Sequence, residues 1–339
     1  MDSTPSTPLS HTPDAIAPVP DGPSAPLSGA VDVHAHYITP TLREAMIAAG
    51  SNSPDGMPAI PDWNVPDALD LMDRTGIAVS MLSVSSPGVH FADARSTRIL
   101  ARTVNEEGAS IVRDHPDRFG LFASLPLPDV DAAVSEAGYA LDVLQADGIA
   151  LLTNYDNVYL GDPAFDPLMA ELNRRQAVVL LHPTSPAGWQ DTCVGRPRPM
   201  IEFLFDTTRA VAQLALNRVL ENYPGIRFII PHAGAALPVL ADRIAAFAFL
   251  ESERPVDVVA ALRGLYYDVA GLSLPRALPA LLNLVDPDRL LYGSDYPFTA
   301  GWIVEGLAST LASHDFPSAD EKQALLSGNA AHLFPRLKL

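Results

Sequence analysis

The sequence predicts an α/β protein built as one closed (β/α)8 or TIM barrel, and three observations predict it. From Gly29 onward, short β-branched or Leu-rich runs alternate with longer stretches rich in Ala, Leu, Arg and Glu. Eight such runs can be counted, as a closed parallel barrel requires. No glycine-rich nucleotide turn follows the first run, where a doubly wound open sheet would normally carry one; the position holds His34-Ala35-His36 instead.

The predicted strands are Ala30 to His36, Val79 to Val84, Phe119 to Leu125, Gly148 to Thr153, Val178 to His182, Arg227 to His232, Tyr266 to Val269 and Leu290 to Gly293. Helices are expected over Val65 to Thr75, Ser96 to His115, Asp131 to Gln145, Phe165 to Arg175, Met200 to Asn222, Leu237 to Leu250, Leu274 to Leu284 and Trp302 to Ser313. Thr39 to Asp62, with its Gly, Ser, Asn and prolines, reads as a long irregular first βα loop of the kind that covers barrel active sites. A last helix, Ala319 to Leu333, is expected to pack outside the barrel. Residues 1–28 are rich in Pro, Ser and Thr and read as a disordered, extended tail without the basic start and apolar centre of a secretory signal. Residues 29–339 then form the barrel domain.

Composition narrows the function. At 48% hydrophobic and 18% charged, the 339-residue chain has ample material for a large core. A formal net charge of -18 repels phosphate backbones and anionic membrane surfaces, and no basic patch offsets it, so nucleic acid and membrane partners are not expected. No run approaches the roughly 18 apolar residues of a membrane span. Cys193, the only cysteine, forms no intrachain disulfide and suits a reducing cytoplasm.

The chemistry lies at strand ends. Residues two apart on a strand share a face, so His34 and His36 can grip one metal ion. His182 ends the fifth strand, His232 the sixth, and Asp295 follows the eighth. A barrel gathers the carboxyl ends of all its strands on one rim, which would bring these residues together. Imidazoles with a carboxylate suit Zn²⁺, and Mn²⁺ or Fe²⁺ remain chemically possible. A lone strand-end histidine is more often a packing residue than a ligand; the recurrence of the pattern is what points to a site. His11, His90, His115, His314 and His332 do not share it and read as structural or solvated.

The motifs His34-Ala35-His36, Leu181-His182-Pro183, Pro231 to Pro238 and Tyr292 to Phe298 resemble those of the amidohydrolase superfamily, and within it the metal-dependent decarboxylases of aminocarboxymuconate semialdehyde, γ-resorcylate and 6-methylsalicylate. The resemblance implies that His34, His36, His182 and Asp295 hold one divalent metal, Zn²⁺ first and Mn²⁺ as the alternative, with no organic cofactor. His232 would act beside it as an acid-base or polarising group, and Asp295 as the proton carrier. The bridging lysine of binuclear relatives has no counterpart, since Lys322 and Lys338 are the only lysines and both lie near the C-terminus. Candidate substrate contacts are Trp189, Phe298, Trp63 and Arg243. In the family an arginine spaced like Arg243 reaches a neighbouring subunit's site, which implies a homodimer. A first-loop arginine that binds a substrate carboxylate in the semialdehyde decarboxylases is missing from Ala59-Ile60-Pro61-Asp62-Trp63, which points to a simpler aromatic acid. The expected reaction is non-oxidative decarboxylation of a hydroxylated, salicylate-type aromatic acid with release of CO₂. Metal-dependent hydrolysis of a lactone or amide is the competing chemistry.

Overall fold

The computed structural model describes residues 26–27, 29–251, 253–315 and 318–337. The expected tail lies outside these residues except for Pro26 and Leu27. Leu27 is buried, and its amide donates to the Thr75 carbonyl at 2.8 Å.

Eight parallel strands form one sheet: β1 (Ala30–His36), β2 (Ile77–Ser83), β3 (Phe119–Ser124), β4 (Gly148–Leu152), β5 (Val178–His182), β6 (Arg227–Ile230), β7 (Tyr266–Asp268) and β8 (Leu290–Leu291). Neighbours in space are neighbours in sequence, as βα repeats dictate. The sheet closes through β1 and the segment after β8: Val33 and His36 donate to the carbonyls of Tyr292 and Tyr296, and Asp295 donates to that of His34. The barrel expected from the sequence is therefore present.

Two hydrophobic layers explain the strand sequences. Outward residues such as Leu82, Leu121, Ile149, Leu181 and Ile230 pack against the helices. Inward ones, among them Val31, Val33, Met81, Phe122, Leu180 and Ile229, fill the barrel. Strict alternation along β1 would turn His34 and His36 outward if Val31 and Val33 face in. The register of β1 against β2 shifts between Asp32 and Ala35, a β-bulge that changes the parity and lets both the valines and the histidines face the interior.

The helices depart from expectation in five places. Part of the first loop is helical over Pro40–Ala48, because Thr39 caps the amide of Leu42 and a proline occupies the first turn. The expected Met200 to Asn222 helix is broken into Glu202–Leu216 and Val219–Asn222 by the left-handed backbone of Arg218. A further short helix spans Val258–Arg263, and Leu274 to Leu284 is reduced to Ala277–Leu281. The C-terminal helical segment, Ala319–Gln323, Ala324–Gly328 and Asn329–Leu333, carries a π-bulge. It does not pack outside the barrel as expected: Ala330, Leu333, Phe334 and Leu337 join the interior cluster, with the Phe334 ring 5.7 Å from that of Phe122. Arg336 pairs with Asp147 just before β4, so the segment plugs the end opposite the histidines. The reason is apolar: the lower mouth of the barrel would otherwise expose its core.

Candidate metal centre and substrate cavity

β1 and β5 deliver His34, His36 and His182 to one point at the carboxyl rim, and the turn after β8 delivers Asp295; one donor atom from each lies within 4.8 Å of the others. The three histidines are buried. His34 needs room across the closure, and Gly293 supplies it, since a Cβ there would sit 2.8 Å from the His34 Cβ. Asp295 and His232 both adopt left-handed backbone, φ 60° and 56°, an uncommon conformation for such residues and one that gathers at functional sites.

Hydrogen bonds to Nδ1 fix the orientation of each ring. His34 Nδ1 donates to Asp268 Oδ2 at 2.9 Å, and His182 Nδ1 donates to the Pro183 carbonyl at 2.8 Å. The Ser83 hydroxyl donates to the Ala35 carbonyl and so accepts from His36 Nδ1, 2.9 Å away. In all three rings the proton is thereby placed on Nδ1, and Nε2 turns a lone pair to the centre. His36 Nε2 then faces Asp295 Oδ1 at 3.2 Å, lone pair to carboxylate, and the buried His34 Nε2 has no hydrogen-bond partner. Converging lone pairs of this kind fit a cation, and three nitrogens with one carboxylate oxygen form the donor set of a divalent metal.

The electrostatics agree for two of the three rings. Burial pushes the His36 and His182 imidazoles below their ordinary range, toward the neutral form that ligates. His34 differs: burial opposes its charge, but Asp268 outweighs burial and lifts the imidazole to about 9, so a cation at the centre would have to displace a second proton from its Nε2. Burial raises the Asp295 carboxyl, yet the imidazoles gathered round it, His232 and His36 foremost, overcome this and hold it well below the usual carboxylate range.

Asp268 is the residue that the sequence analysis missed. Fully buried on β7, it orients His34 through Oδ2 and holds the amides of His232 and Ala270 through Oδ1 at 3.0 Å each. One carboxylate thus sets both a candidate ligand and the backbone of the candidate acid-base histidine. Its signal is its place at the end of a strand, on the same rim. Asp32 plays a similar part, accepting from the amides of His34 and Ser294 and from the Ser294 hydroxyl, which ties the Asp295 turn to β1.

A cavity of about 510 Å³ opens from this centre, lined by His182, His232 and Asp295 at one end and by Phe203, Leu204, Leu272, Phe298, Ile303 and Leu307 along its walls. His232 Nε2 stands 3.7 Å from Asp295 Oδ2, with its ring 5.1 Å from that of His34. Phe298 meets the His36 ring edge-on at 5.6 Å. The other three candidate substrate contacts do not line the cavity in this chain. Trp189 is covered by the Arg198 guanidinium at 4.1 Å, and Trp63 packs against Tyr37 at 6.1 Å. Arg243 is exposed on the helix Leu237–Glu251, over the Phe247 ring.

No helix among the described residues is long and apolar enough to cross a membrane. The amidohydrolase family profile matches residues 31–336. The chain is 36% identical over 316 residues to the 6-methylsalicylic acid decarboxylase of Penicillium expansum, covering 91% of this chain and 97% of that protein. It is 27% identical over 292 residues to the γ-resorcylate decarboxylase of Rhodococcus jostii, covering 78% and 86%. Among solved structures, a protein described as amidohydrolase II superposes with a TM-score of 0.87 at 38% identity, covering 91% of this chain and all of that one. With strand-end histidines, bulge and rim aspartate in place, the chain belongs to the amidohydrolase family, in the branch that holds the 6-methylsalicylic acid decarboxylases.

Proposed function

We propose that the protein is a metal-dependent carboxy-lyase that removes CO₂ from a hydroxylated, salicylate-type aromatic acid without oxidation. The observation that carries this reading is the union of three Nε2 lone pairs and Asp295 with an apolar cavity of aromatic size, in a chain 36% identical to a 6-methylsalicylic acid decarboxylase.

His34, His36, His182 and Asp295 would hold one divalent ion, Zn²⁺ by the preference of imidazole-rich sites, with Mn²⁺ the alternative. When bound, it supplies Lewis-acid anchoring and charge neutralisation for the substrate carboxylate and its neighbouring hydroxyl. The chain's residues do the rest. Phe298 and the leucine-rich wall hold the ring and exclude water, so that the carboxylate end alone faces the rim. Asp295 enters the cycle as the anion, takes up a proton across the gap to His232 and delivers it to the ring carbon that bears the carboxylate. Protonation there breaks aromaticity; the C–C bond electrons return to the ring as CO₂ departs. His232, fixed through its amide by Asp268, stabilises the developing charge.

The reading extends to assembly and setting. A homodimer is supported by the apolar residues Val239, Phe247, Phe249 and Leu250, exposed on the helix that carries Arg243. A cytoplasmic location is supported by the single buried cysteine.

The test supplies salicylate-type acids to the metal-loaded protein and follows CO₂. Release is expected to vanish on complete chelation and to return with Zn²⁺ or Mn²⁺. Activity that survives chelation, or that is unchanged in Asp295→Asn, overturns the mechanism; opening of a lactone without CO₂ would establish hydrolysis instead.

A further inference from the structure

The first loop places a carboxylate in the cavity wall. Asp55 lies in the single turn Pro54–Gly56, is 7% exposed, and lines the cavity between Pro54 and Met57. Its Oδ1 accepts from the Ser185 hydroxyl at 2.5 Å, three residues past His182 in the loop after β5. The same hydroxyl oxygen accepts from Arg198 Nε at 3.0 Å, which stitches the two loops together. Among the described residues Asp55 makes no further hydrogen bond or ion pair, so its second oxygen, Oδ2, is unmatched. Among the described residues no arginine or lysine lines the cavity.

A buried carboxylate with a free oxygen seeks a donor and repels a like charge in the same low-dielectric space. We propose that Asp55 is the specificity-determining residue of the cavity: it accepts a hydrogen bond from a hydroxyl or amino group on the substrate ring and rejects a second carboxylate. The preferred substrate is then an aromatic monocarboxylate with a ring donor. This rests on the decarboxylase reading above and adds to it the polarity of the substituent.

The backbone makes a clean test possible. Asp55 has φ 52°, a left-handed conformation that Asn shares readily, and an Asn oxygen still accepts from Ser185. Asp55→Asn therefore removes the charge while keeping the turn. The experiment compares wild type and Asp55→Asn on salicylates bearing a hydroxyl, amino or carboxylate group at each of the four open ring positions. Both kcat/KM and calorimetric affinity for the manganese-loaded protein are measured. The expected result is a rise of at least tenfold in the preference for carboxylate-substituted over hydroxyl-substituted acids, at one ring position or more, in both measurements. A preference that stays within twofold at all four positions overturns the proposal, as does failure of the wild type to bind any member of the series. Wild type that binds with the expected ordering but releases no CO₂ counts against the decarboxylase reading and leaves the role of Asp55 standing.

Discussion

The metal end of the site and its substrate end are built in different ways. His34, His36 and His182 are buried strand residues, each ring held through Nδ1 by Asp268, Ser83 or Pro183. The substrate end is assembled from loops and the helix starts that follow them: the Pro54–Gly56 turn, the segment from Met200 into the helix Glu202–Leu216, the residues after β7, and Phe298 with the helix Gly301–Ser313 beyond β8. Its one buried carboxylate, Asp55, is anchored to a loop rather than a strand, through Ser185. The contrast teaches a division of labour. Strands fix the donors to the tolerance that coordination demands, and loops set the shape and polarity that choose the substrate.

The sharpest way to test that division is to remove a strand donor. His182→Ala is expected to lower kcat/KM by several kcal/mol of transition-state stabilisation, about a thousandfold or more, with stoichiometric metal lost by elemental analysis. Full activity in that variant would break the assignment of the strand end. A smaller effect is expected one layer out. In Asp268→Asn the side-chain oxygen keeps the His232 and Ala270 amides, but the new NH₂ faces His34 Nδ1 and donates to it. The His34 proton then moves to Nε2, the atom that must stay bare. Metal affinity should fall by about 10–100-fold, read by competition with a chelating dye, while the melting temperature shows whether the fold survives.

The same division governs how much of the site was legible in the sequence. Strand-end histidines announce themselves, because a polar residue that closes an apolar run must be placed at the rim, and the eight-fold repeat says which rim. Asp268 obeys the same rule only once the true end of its strand is known: the expected strand runs on to Val269, which puts Asp268 inside it, whereas the strand stops at Asp268. The bulge in β1 left no mark at all: whether His34 follows Val33 onto the same face depends on how β1 pairs with β2, not on any local pattern. Loop residues were least legible. Trp189 was a candidate by its nearness to a ligand, and Trp63 and Arg243 by the family resemblance, whereas the cavity wall is made by Asp55 and Leu272 on loops and by Phe203 at the start of the helix Glu202–Leu216, and no periodicity encodes where those loops lead.

At the substrate end the effects should be graded rather than absolute. Phe298→Ala removes an edge-to-face contact with His36 and part of the cavity wall. An aromatic pair of this kind is worth about 0.5–1.5 kcal/mol, so a rise of about two- to tenfold in KM is expected, with metal content retained. Loss of the metal in this variant would erase the boundary between the two ends, since Phe298 would then be holding a ligand rather than a substrate.

The smallest effect is expected at Trp63. Its ring packs on Tyr37 rather than on the cavity, and its buried indole Nε1 has no hydrogen-bond partner. Trp63→Phe removes that unsatisfied N–H, whose burial costs about 1–3 kcal/mol, and leaves a small void whose cost is of similar size. The two oppose each other, so the net change should stay within about 1 kcal/mol, a shift in melting temperature of about 2–4 °C. With the ring outside the cavity, kcat/KM should remain within about twofold, a difference of about 0.4 kcal/mol in transition-state stabilisation. A tenfold fall in kcat/KM at an unchanged melting temperature would require the first loop to carry Trp63 onto the bound substrate. The substrate end would then be a moving cover, set against a metal end that its hydrogen bonds keep still.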